Sequence, residues 1–458
     1  MTLQAEFQAV VLAAGRGSRM SEVTTGIPKC LLPIGPKPLV WYSLYKLQCA
    51  GFSDVIMIVL ENEKSEIHSV LEKTNLDIKI DYVCVSEKDE DLGTAESLKL
   101  INDKLTSDVL VVSCDFVTDV DFKGVLDIFR MHNASVASLL VQPQPNEVFV
   151  VPGPKSKHKP ERDLIGIDTQ TNRLVFLASA SDFETDFSLP TSLLKKHTHI
   201  KIYSNLIDSH VYVLKNWVVK YLKSEDSFTS IKGELLPHII KKQLSKPPKP
   251  VNTNTSVINT GDNGDIFAFS KEDELDINIR NTSSYNDHTG DLKPTYHEDS
   301  IRCYAHIAPK ENFGVRVNTL PSYWWINNKI SEKWPQITGD RLEFVPVHPK
   351  ADVKSNQVDN KCVIWEGAKL NEKTSFKNSI ICSNTEVCSF SRVFNSIIMN
   401  NVTIKEKVAI ENCIICDGAT IEGGCQLKNC IVGSHHTVSE QSEHTNEVLT
   451  ESDRLMEF

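Results

Sequence analysis

Two patterns of apolar residues divide the chain into an N-terminal and a C-terminal region. In residues 1–244, short β-branched runs alternate with segments of helical periodicity, which is typical of an α/β fold with a mostly parallel sheet covered by helices. The sequence predicts buried strands at 7–13, 54–60, 80–85 and 107–113, and helices at 38–51 and 93–105. Because such sheets bind ligands at the carboxyl ends of their strands, loop 14–20 lies at a candidate site.

The C-terminal pattern repeats every 17 residues. Single apolar residues recur at spacings of six, six and five: Ile364, Leu370, Phe376, Ile381, Val387, Val393, Ile398, Ile404, Ile410, Ile415, Ile421, Leu427 and Val432. Three short strands per coil, each with one apolar side chain pointing inward, form a triangular rod. A second register holds residues suited to left-handed corners, each followed by Ser or Cys and then Ile: Asn378, Asn395, Asn412 and Asn429. The pattern resembles the left-handed parallel β-helix of hexapeptide-repeat proteins, and we predict it for residues 360–440.

Polar, turn-rich composition marks the remaining boundaries. Residues 245–300 contain too little apolar surface for a core and are predicted to be a mobile linker or insertion, with a short ordered piece at 266–269. A connecting segment, 301–345, precedes the repeat, and an acidic tail, 441–458, follows it.

Composition and charge exclude several classes of protein. The 458 residues carry a formal net charge of −11, which argues against binding to nucleic acid or to a membrane surface. The sequence contains neither a run of about 20 apolar residues nor a basic, apolar signal peptide. Twelve scattered cysteines without a secretion signal indicate reduced thiols and a cytosolic protein.

Clustered cysteines and histidines in the repeat leave two interpretations open. Cys413 and Cys416 form a C-x-x-C pair, with Cys425 and Cys430 nearby, so a metal or redox site is one hypothesis. Cys413 and Cys430 also share the register of serines in earlier coils, which favours small stacked residues. We likewise interpret His435 and His436 as terminal-coil residues.

The loop "AGRGSR" contains a candidate phosphate site. Gly15, Gly17 and Arg19 match neither the dinucleotide fingerprint, since Met20 replaces its third glycine, nor a P-loop. Backbone amides freed by glycines can nevertheless hold phosphate, and Arg19 with Lys29 can neutralise it.

In "LAAGRGSR", "PKCLLP" and "LGTA", the chain resembles the sugar-1-phosphate nucleotidyltransferases over residues 7 to about 240. The resemblance implies that Gly15, Gly17, Arg19 and Lys29 contact nucleotide phosphates. It also implies that Gly93 and Thr94 contact the base and that Asp115 binds Mg²⁺.

Departures from that family argue against catalysis. Arg316, in "GVRVNTLPSY", stands where the family has a second metal-binding aspartate, and a guanidinium cannot bind a metal ion as a carboxylate does. The sugar-binding E-K-P is absent from "LVFLASASD", and Cys114 replaces the glycine before the metal-binding aspartate.

A narrower resemblance, to the gamma subunits of eukaryotic translation initiation factor 2B, rests on "SCDFVTDV", "SIKGELLPHIIKKQ", "CYAHI" and the departure "RVNT". It implies a non-catalytic scaffold or regulatory subunit of the complex that exchanges GDP for GTP on initiation factor 2. The implied partners are the paralogous epsilon subunit and the other subunits. No cofactor is required, and nucleotide binding in the pocket is left open.

Two further expectations accompany that resemblance. The residues after the last predicted coil are too few for the helical exchange domain that follows the β-helix in epsilon, so we expect this chain to lack that domain. The alternative function is an active mannose- or glucose-1-phosphate nucleotidyltransferase, which the intact Gly15, Gly17, Arg19 and Lys29 keep open.

Overall fold

The computed structural model describes residues 6–86, 92–143, 150–154, 162–183, 187–197, 199–245, 265–282, 299–339 and 341–450. In the described part, the strands of the N-terminal domain are β1 (Phe7–Leu12), β2 (Asp54–Leu60), β3 (Lys79–Val85), β4 (Asp108–Ser113), β5 (Phe116–Thr118), β6 (Val136–Val141), β7 (Asp163–Asp168), β8 (Leu174–Ser179), β9 (Ile200–Tyr203), β10 (Ile207–Leu214), β11 (Cys303–Ile307) and β12 (Gly314–Arg316). A hairpin of two-residue strands, Pro33–Ile34 and Lys37–Pro38, lies between β1 and β2.

The main sheet has the order β11-β6-β10-β4-β1-β2-β3. β10 runs antiparallel to both of its neighbours, and the other pairs are parallel. Alternate side chains of the central strands enter two separate apolar clusters: Val11 and Val112 lie in one, Val10 and Val111 in the other. This two-sided burial explains the continuous apolar runs, and the predicted mostly parallel sheet is confirmed.

Helices cover both faces of this sheet. The helices of the N-terminal domain up to residue 245 are α1 (Leu39–Ala50), α2 (Lys64–Glu72), α3 (Thr94–Leu100), α4 (Lys123–Met131), α5 (Thr191–Lys196), α6 (Asn216–Ser224) and α7 (Leu236–Lys242), with a short turn of helix at Ser21–Thr24. α1 ends where predicted, at Gly51, whose φ of 103° suits a residue without a Cβ. None of the helices in the described ranges is both long enough and apolar enough to cross a membrane.

Segment 299–339 belongs to the N-terminal domain rather than standing apart from it. Its strand β11 forms one edge of the main sheet, and β12 pairs antiparallel with β5, with Arg316 opposite Phe116. The chain then enters a long helix that begins after Thr319. The helices that complete this region are α8 (Ile266–Phe269), α9 (Glu274–Thr282) and α10 (Leu320–Thr338).

The predicted linker 245–300 is described only in part. Residues 246–264 and 283–298 lie outside the described residues. Between them, α8 places Ile266 in the second apolar cluster with no exposed surface, so the ordered piece expected at 266–269 is a helix packed on the domain.

The repeat forms the predicted left-handed parallel β-helix, built from three sheets of stacked parallel strands. Along the described chain, the first face holds Asp352–Val353, Lys369–Leu370, Glu386–Val387, Thr403–Ile404, Thr420–Ile421 and Thr437–Val438. The second face holds Gln357–Val358, Ser375–Lys377, Arg392–Phe394, Ala409–Glu411, Gln426–Lys428 and Glu443–Thr445. The third face holds Val363–Ile364, Ile380–Ile381, Ile397–Ile398, Ile414–Ile415, Ile431–Val432 and Val448–Leu449.

The β-helix is longer at both ends than the predicted range 360–440. Its strands begin at Asp352 and continue to Leu449, so the first part of the expected tail forms strands rather than a tail. His444 explains the difference at the C-terminal end, because it occupies an inward position, opposite Leu427 of the preceding coil, where the pattern requires an apolar residue. Residues 451–458 lie outside the described residues.

Asparagines form a continuous ladder along one corner. Each Nδ2 donates to the Oδ1 one coil further on, at 2.7 to 2.9 Å, through Asn378, Asn395, Asn412, Asn429 and Asn446. All five have φ between 45° and 58°, the left-handed conformation for which Asn was predicted.

The third face of the β-helix packs against the N-terminal domain. Ile398 and Ile415 point into the rod, whereas their neighbours Ile397 and Ile414 point outward into the apolar cluster that also contains Trp324 of α10. At the edges of this contact, the Trp365 indole donates to the Gly35 carbonyl at 2.8 Å. Gly153 N–H donates to the Asn429 carbonyl, also at 2.8 Å. The two regions therefore share one core.

Candidate functional site

The structure places Asp115 directly after β4, at the carboxyl end of the main sheet. Its carboxylate is 2% exposed and lies between two cations. Lys29 Nζ is 2.5 Å from Oδ2, and Arg316 places Nη2 3.1 Å from Oδ2 and Nε 3.3 Å from Oδ1. The Ser113 hydroxyl donates to Oδ1 at 2.7 Å. The predicted Lys29, Asp115 and Arg316 thus form one network from segments far apart in sequence.

Ion pairing keeps this buried carboxylate charged. Burial by itself would raise the pKa of Asp115, but the positive charges of Arg316 and Lys29 hold that pKa well below its usual value. Breaking such a pair from one side would leave an uncompensated buried charge. The network is therefore a fixed structural feature at neutral pH.

A Mg²⁺ ion, which the resemblance to nucleotidyltransferases implies at Asp115, does not fit these residues. Magnesium requires oxygen ligands at about 2.0–2.1 Å in near-octahedral geometry. Both oxygens of Asp115 already accept hydrogen bonds, and residue 316 presents a guanidinium. Throughout the described residues, no group of three or more His, Cys, Asp or Glu side chains is arranged to hold a metal ion.

The glycine loop lies next to this network. Gly17 has a φ of 75°, and a Cβ there would lie 3.3 Å from the Lys29 side chain, so Gly17 allows the loop to approach that lysine. Gly15 and Arg19 are exposed. A Cβ added at Gly15 would meet no atom within 4 Å. Their predicted contacts with nucleotide phosphates stay a prediction.

Gly93 and Thr94 contact segment 229–231. Gly93 N–H donates to the Glu96 carboxylate at 2.7 Å, and the Thr94 hydroxyl accepts from Ile231 N–H at 2.9 Å. A Cβ at Gly93 would lie 2.1 Å from the Thr229 carbonyl oxygen. The observed role of this pair is to pack the start of α3, and the predicted contact with a base stays a prediction.

Sequence reasoning missed a second polar cluster beside Arg316, at an irregularity in β10. Asp208 accepts from His210 N–H and from the Tyr212 hydroxyl, each at 2.8 Å, and His210 has a φ of 53°. A left-handed histidine is a strained feature of the kind found at functional sites. The available signal was "IDSHVYVL", in which polar residues interrupt an apolar strand.

The imidazole of His210 is kept neutral. Burial, followed by the positive charge of Arg316, holds the pKa of His210 well below its usual value. Its Nε2 is inaccessible to solvent and has no hydrogen-bond partner among the described residues. Lys232, whose charge also acts on His210, pairs with Asp163 at 2.9 Å.

The cysteines of the repeat are stacked rather than arranged around a metal ion. Cys413 and Cys430 are fully buried, and Cys413 Sγ accepts from Cys430 N–H at 3.3 Å. Ser396 and Ser379 make the same contact one and two coils earlier, respectively. Cys413 and Cys430 are therefore small residues stacked in register with the serines of the earlier coils.

Comparison with known proteins finds two family models that each match part of the chain. The family of nucleotidyl transferases matches residues 8–151, and the GMPPB C-terminal domain matches residues 342–449. Mannose-1-phosphate guanyltransferases match shorter stretches, such as 31% of the chain at 29% identity for that of Candida albicans.

Longer matches are to subunits of a translation factor. The gamma subunit of translation initiation factor eIF2B from Schizosaccharomyces pombe is 28% identical over 81% of this chain and 73% of its own length. The gamma subunit from Dictyostelium discoideum is 28% identical over 84% of this chain and 89% of its own length. The eIF2B epsilon subunit of S. pombe is 22% identical over 52% of this chain and 35% of its own length.

Proposed function

We propose that this chain, a homologue of the gamma subunits of translation initiation factor eIF2B, is a non-catalytic scaffold and regulatory subunit of that complex. The observation that carries the proposal is a similarity to gamma subunits that extends over more than four-fifths of the chain. The substrate of the assembled complex is initiation factor 2, on which it exchanges GDP for GTP, and the chain acts in the cytosol.

The polar network at Asp115 supports a role without catalysis. In metal-assisted transfer of a nucleotidyl group, a metal ion polarises the phosphoryl oxygens and stabilises the charge that develops on them. Here the cations at Asp115 are Lys29 and Arg316, each 12% exposed and paired with the same carboxylate. Both positive charges are partly neutralised by the Asp115 carboxylate, which favours a structural rather than a catalytic role for these residues.

The packing of the β-helix supports the scaffold role. Because the third face is covered by the N-terminal domain, the rod is held rigidly on that domain. The first two faces present side chains such as Lys369, Glu386 and Lys428 to solvent. We propose the paralogous epsilon subunit as the direct partner of the chain, and the other eIF2B subunits as further contacts.

An exchange assay tests the proposal. Release of labelled GDP from initiation factor 2 is measured with epsilon alone, with this chain alone and with both together. We expect the chain alone to accelerate release negligibly and the pair to exceed epsilon. Full exchange activity from the isolated chain would contradict the scaffold role, and no gain over epsilon would contradict the regulatory one.

The alternative, synthesis of a nucleotide sugar, is favoured by the matches to mannose-1-phosphate guanyltransferases and by the intact glycine loop. It is tested by incubating the chain with sugar phosphate, nucleoside triphosphate and Mg²⁺ and measuring pyrophosphate. We expect no more pyrophosphate than from a Lys29→Ala variant. Clear Mg²⁺-dependent release that this substitution abolishes would establish the alternative.

A further inference from the structure

The guanidinium of Arg316 contacts both carboxylate oxygens of Asp115, as a metal ion bound by both oxygens of a carboxylate would. Nε and Nη2 lie 3.3 and 3.1 Å from the two different carboxylate oxygens. Arginine is suited to this task because its donors form a planar fork and its charge is permanent. The side chain is mostly buried and the carboxylate almost fully so, which largely shields the contact from solvent ions.

The two positively charged side chains at Asp115 disfavour the binding of a metal ion there. One carboxylate faces two cationic side chains, so the immediate site carries a net positive charge before any ion enters. A divalent cation would have to displace Lys29 or Arg316 and would be repelled by both. The hydroxyl of Ser113, which donates to Oδ1, leaves less of the carboxylate available.

The position of Arg316 in the fold gives the contact a mechanical consequence. Arg316 is the last residue of β12, which pairs with β5 in a two-stranded sheet next to Asp115, while β11 joins segment 299–339 to the main sheet. Immediately after it, Val317 N–H donates to the Asp115 carbonyl at 2.8 Å, and Thr319 caps the start of α10. α10 in turn packs against the third face of the β-helix.

We propose that Arg316 is a resident cation that takes the place of a divalent metal ion at Asp115 and fastens α10, and with it the β-helix, to the main sheet. The inference goes beyond membership of a translation-factor complex and does not depend on it.

The test restores a carboxylate at position 316 of the full chain and measures metal binding directly. Mn²⁺ is titrated into the wild-type chain, Arg316→Asp and the double variant Arg316→Asp/Asp115→Asn, and free Mn²⁺ is followed by its electron paramagnetic resonance signal. The double variant accounts for binding to surface carboxylates. We expect Arg316→Asp to bind one equivalent more than the double variant, and the wild-type chain to bind no more than the double variant.

Thermal unfolding of the same proteins provides a second readout. Mn²⁺ should raise the Tm of Arg316→Asp above its value in a chelator, while the Tm of the wild-type chain should shift no more than that of the double variant. The proposal is overturned if the wild-type chain binds the additional Mn²⁺, or if Arg316→Asp gains none.

A milder pair of variants covers poor folding of Arg316→Asp. Arg316→Ala removes the guanidinium and should admit Mn²⁺ to Asp115, whereas Arg316→Lys keeps a cation there and should exclude it. Equal Mn²⁺ binding by these two variants would show that the charge at position 316 does not control access, and would also overturn the proposal.

Discussion

The outward isoleucines of the third face provide a direct test of how the β-helix is attached. Ile414 and Ile415 are adjacent and both have no exposed surface, but they enter different apolar clusters. Ile415 lies inside the rod, while Ile414 lies in the cluster that the rod shares with the N-terminal domain. The informative substitution is Ile414→Ala, because Ile414 points out of the coil and is buried only by the N-terminal domain.

The expected loss follows from complete burial. Truncation of a fully buried isoleucine to alanine costs about 2–5 kcal/mol, the sum of lost transfer free energy and the cavity left behind. We expect Ile414→Ala to lie in this range, close to the value for Ile415→Ala. The matched control is Thr420→Ala, which occupies the same outward position on the uncovered first face and is half-buried. Its cost should stay below about 1 kcal/mol.

Urea unfolding followed by tryptophan fluorescence measures these differences. Trp324 and Trp334 of α10 belong to the shared cluster and report on its opening. Amide hydrogen exchange would show whether the loss is concentrated at the contact. If Ile414→Ala costs no more than Thr420→Ala, the third face is not buried against the domain and the shared core is refuted.

Three further predictions concern single positions, each measured by urea unfolding. Gly93→Ala places a Cβ against the Thr229 carbonyl and should lower the free energy of unfolding by about 1–3 kcal/mol. The control, Gly15→Ala, has open space around it and should change that free energy by less than about 0.5 kcal/mol. Equal effects of the two substitutions would contradict the close packing of Gly93 against Thr229. Asn412→Ala should be about 1–2 kcal/mol less stable than Asn412→Gly, because φ is 54° there; an Ala variant as stable as the Gly variant would contradict this cause. Burial, followed by the negative charge of Glu66, raises the pKa of Glu63 to about 7. Between about pH 4.5 and 7 the folded chain therefore keeps a proton on Glu63 that the unfolded chain has lost, so the free energy of unfolding should fall as the pH rises through this range. Glu63→Gln should flatten that slope and stabilise the chain at pH 8 by on the order of 1 kcal/mol after solvent screening; an unchanged slope would contradict it.

The periodicity of apolar residues along the chain was sufficient to predict much of this architecture. Inward residues such as Ile404 and Ile415 were assigned correctly because parallel in-register stacking repeats the same environment every 17 residues. The central strands were equally clear, since burial on both faces of the sheet requires continuous apolar runs. The C-terminal end of the rod was less clear, because His444 occupies an inward position and interrupts the apolar pattern.

Contacts between distant segments were decided by tertiary packing. The motifs indicated that Lys29, Asp115 and Arg316 belong to one site, but only the fold shows that both cations contact the same carboxylate. His210 was not found because its left-handed backbone and its position beside Arg316 arise from an irregularity in β10. Ile414 points away from the inside of the coil, and the N-terminal domain covers it, a contact that the repeat pattern does not contain. A repeat specifies which side chains face into its own coil, whereas the surface that a neighbouring domain covers depends on how the complete chain packs.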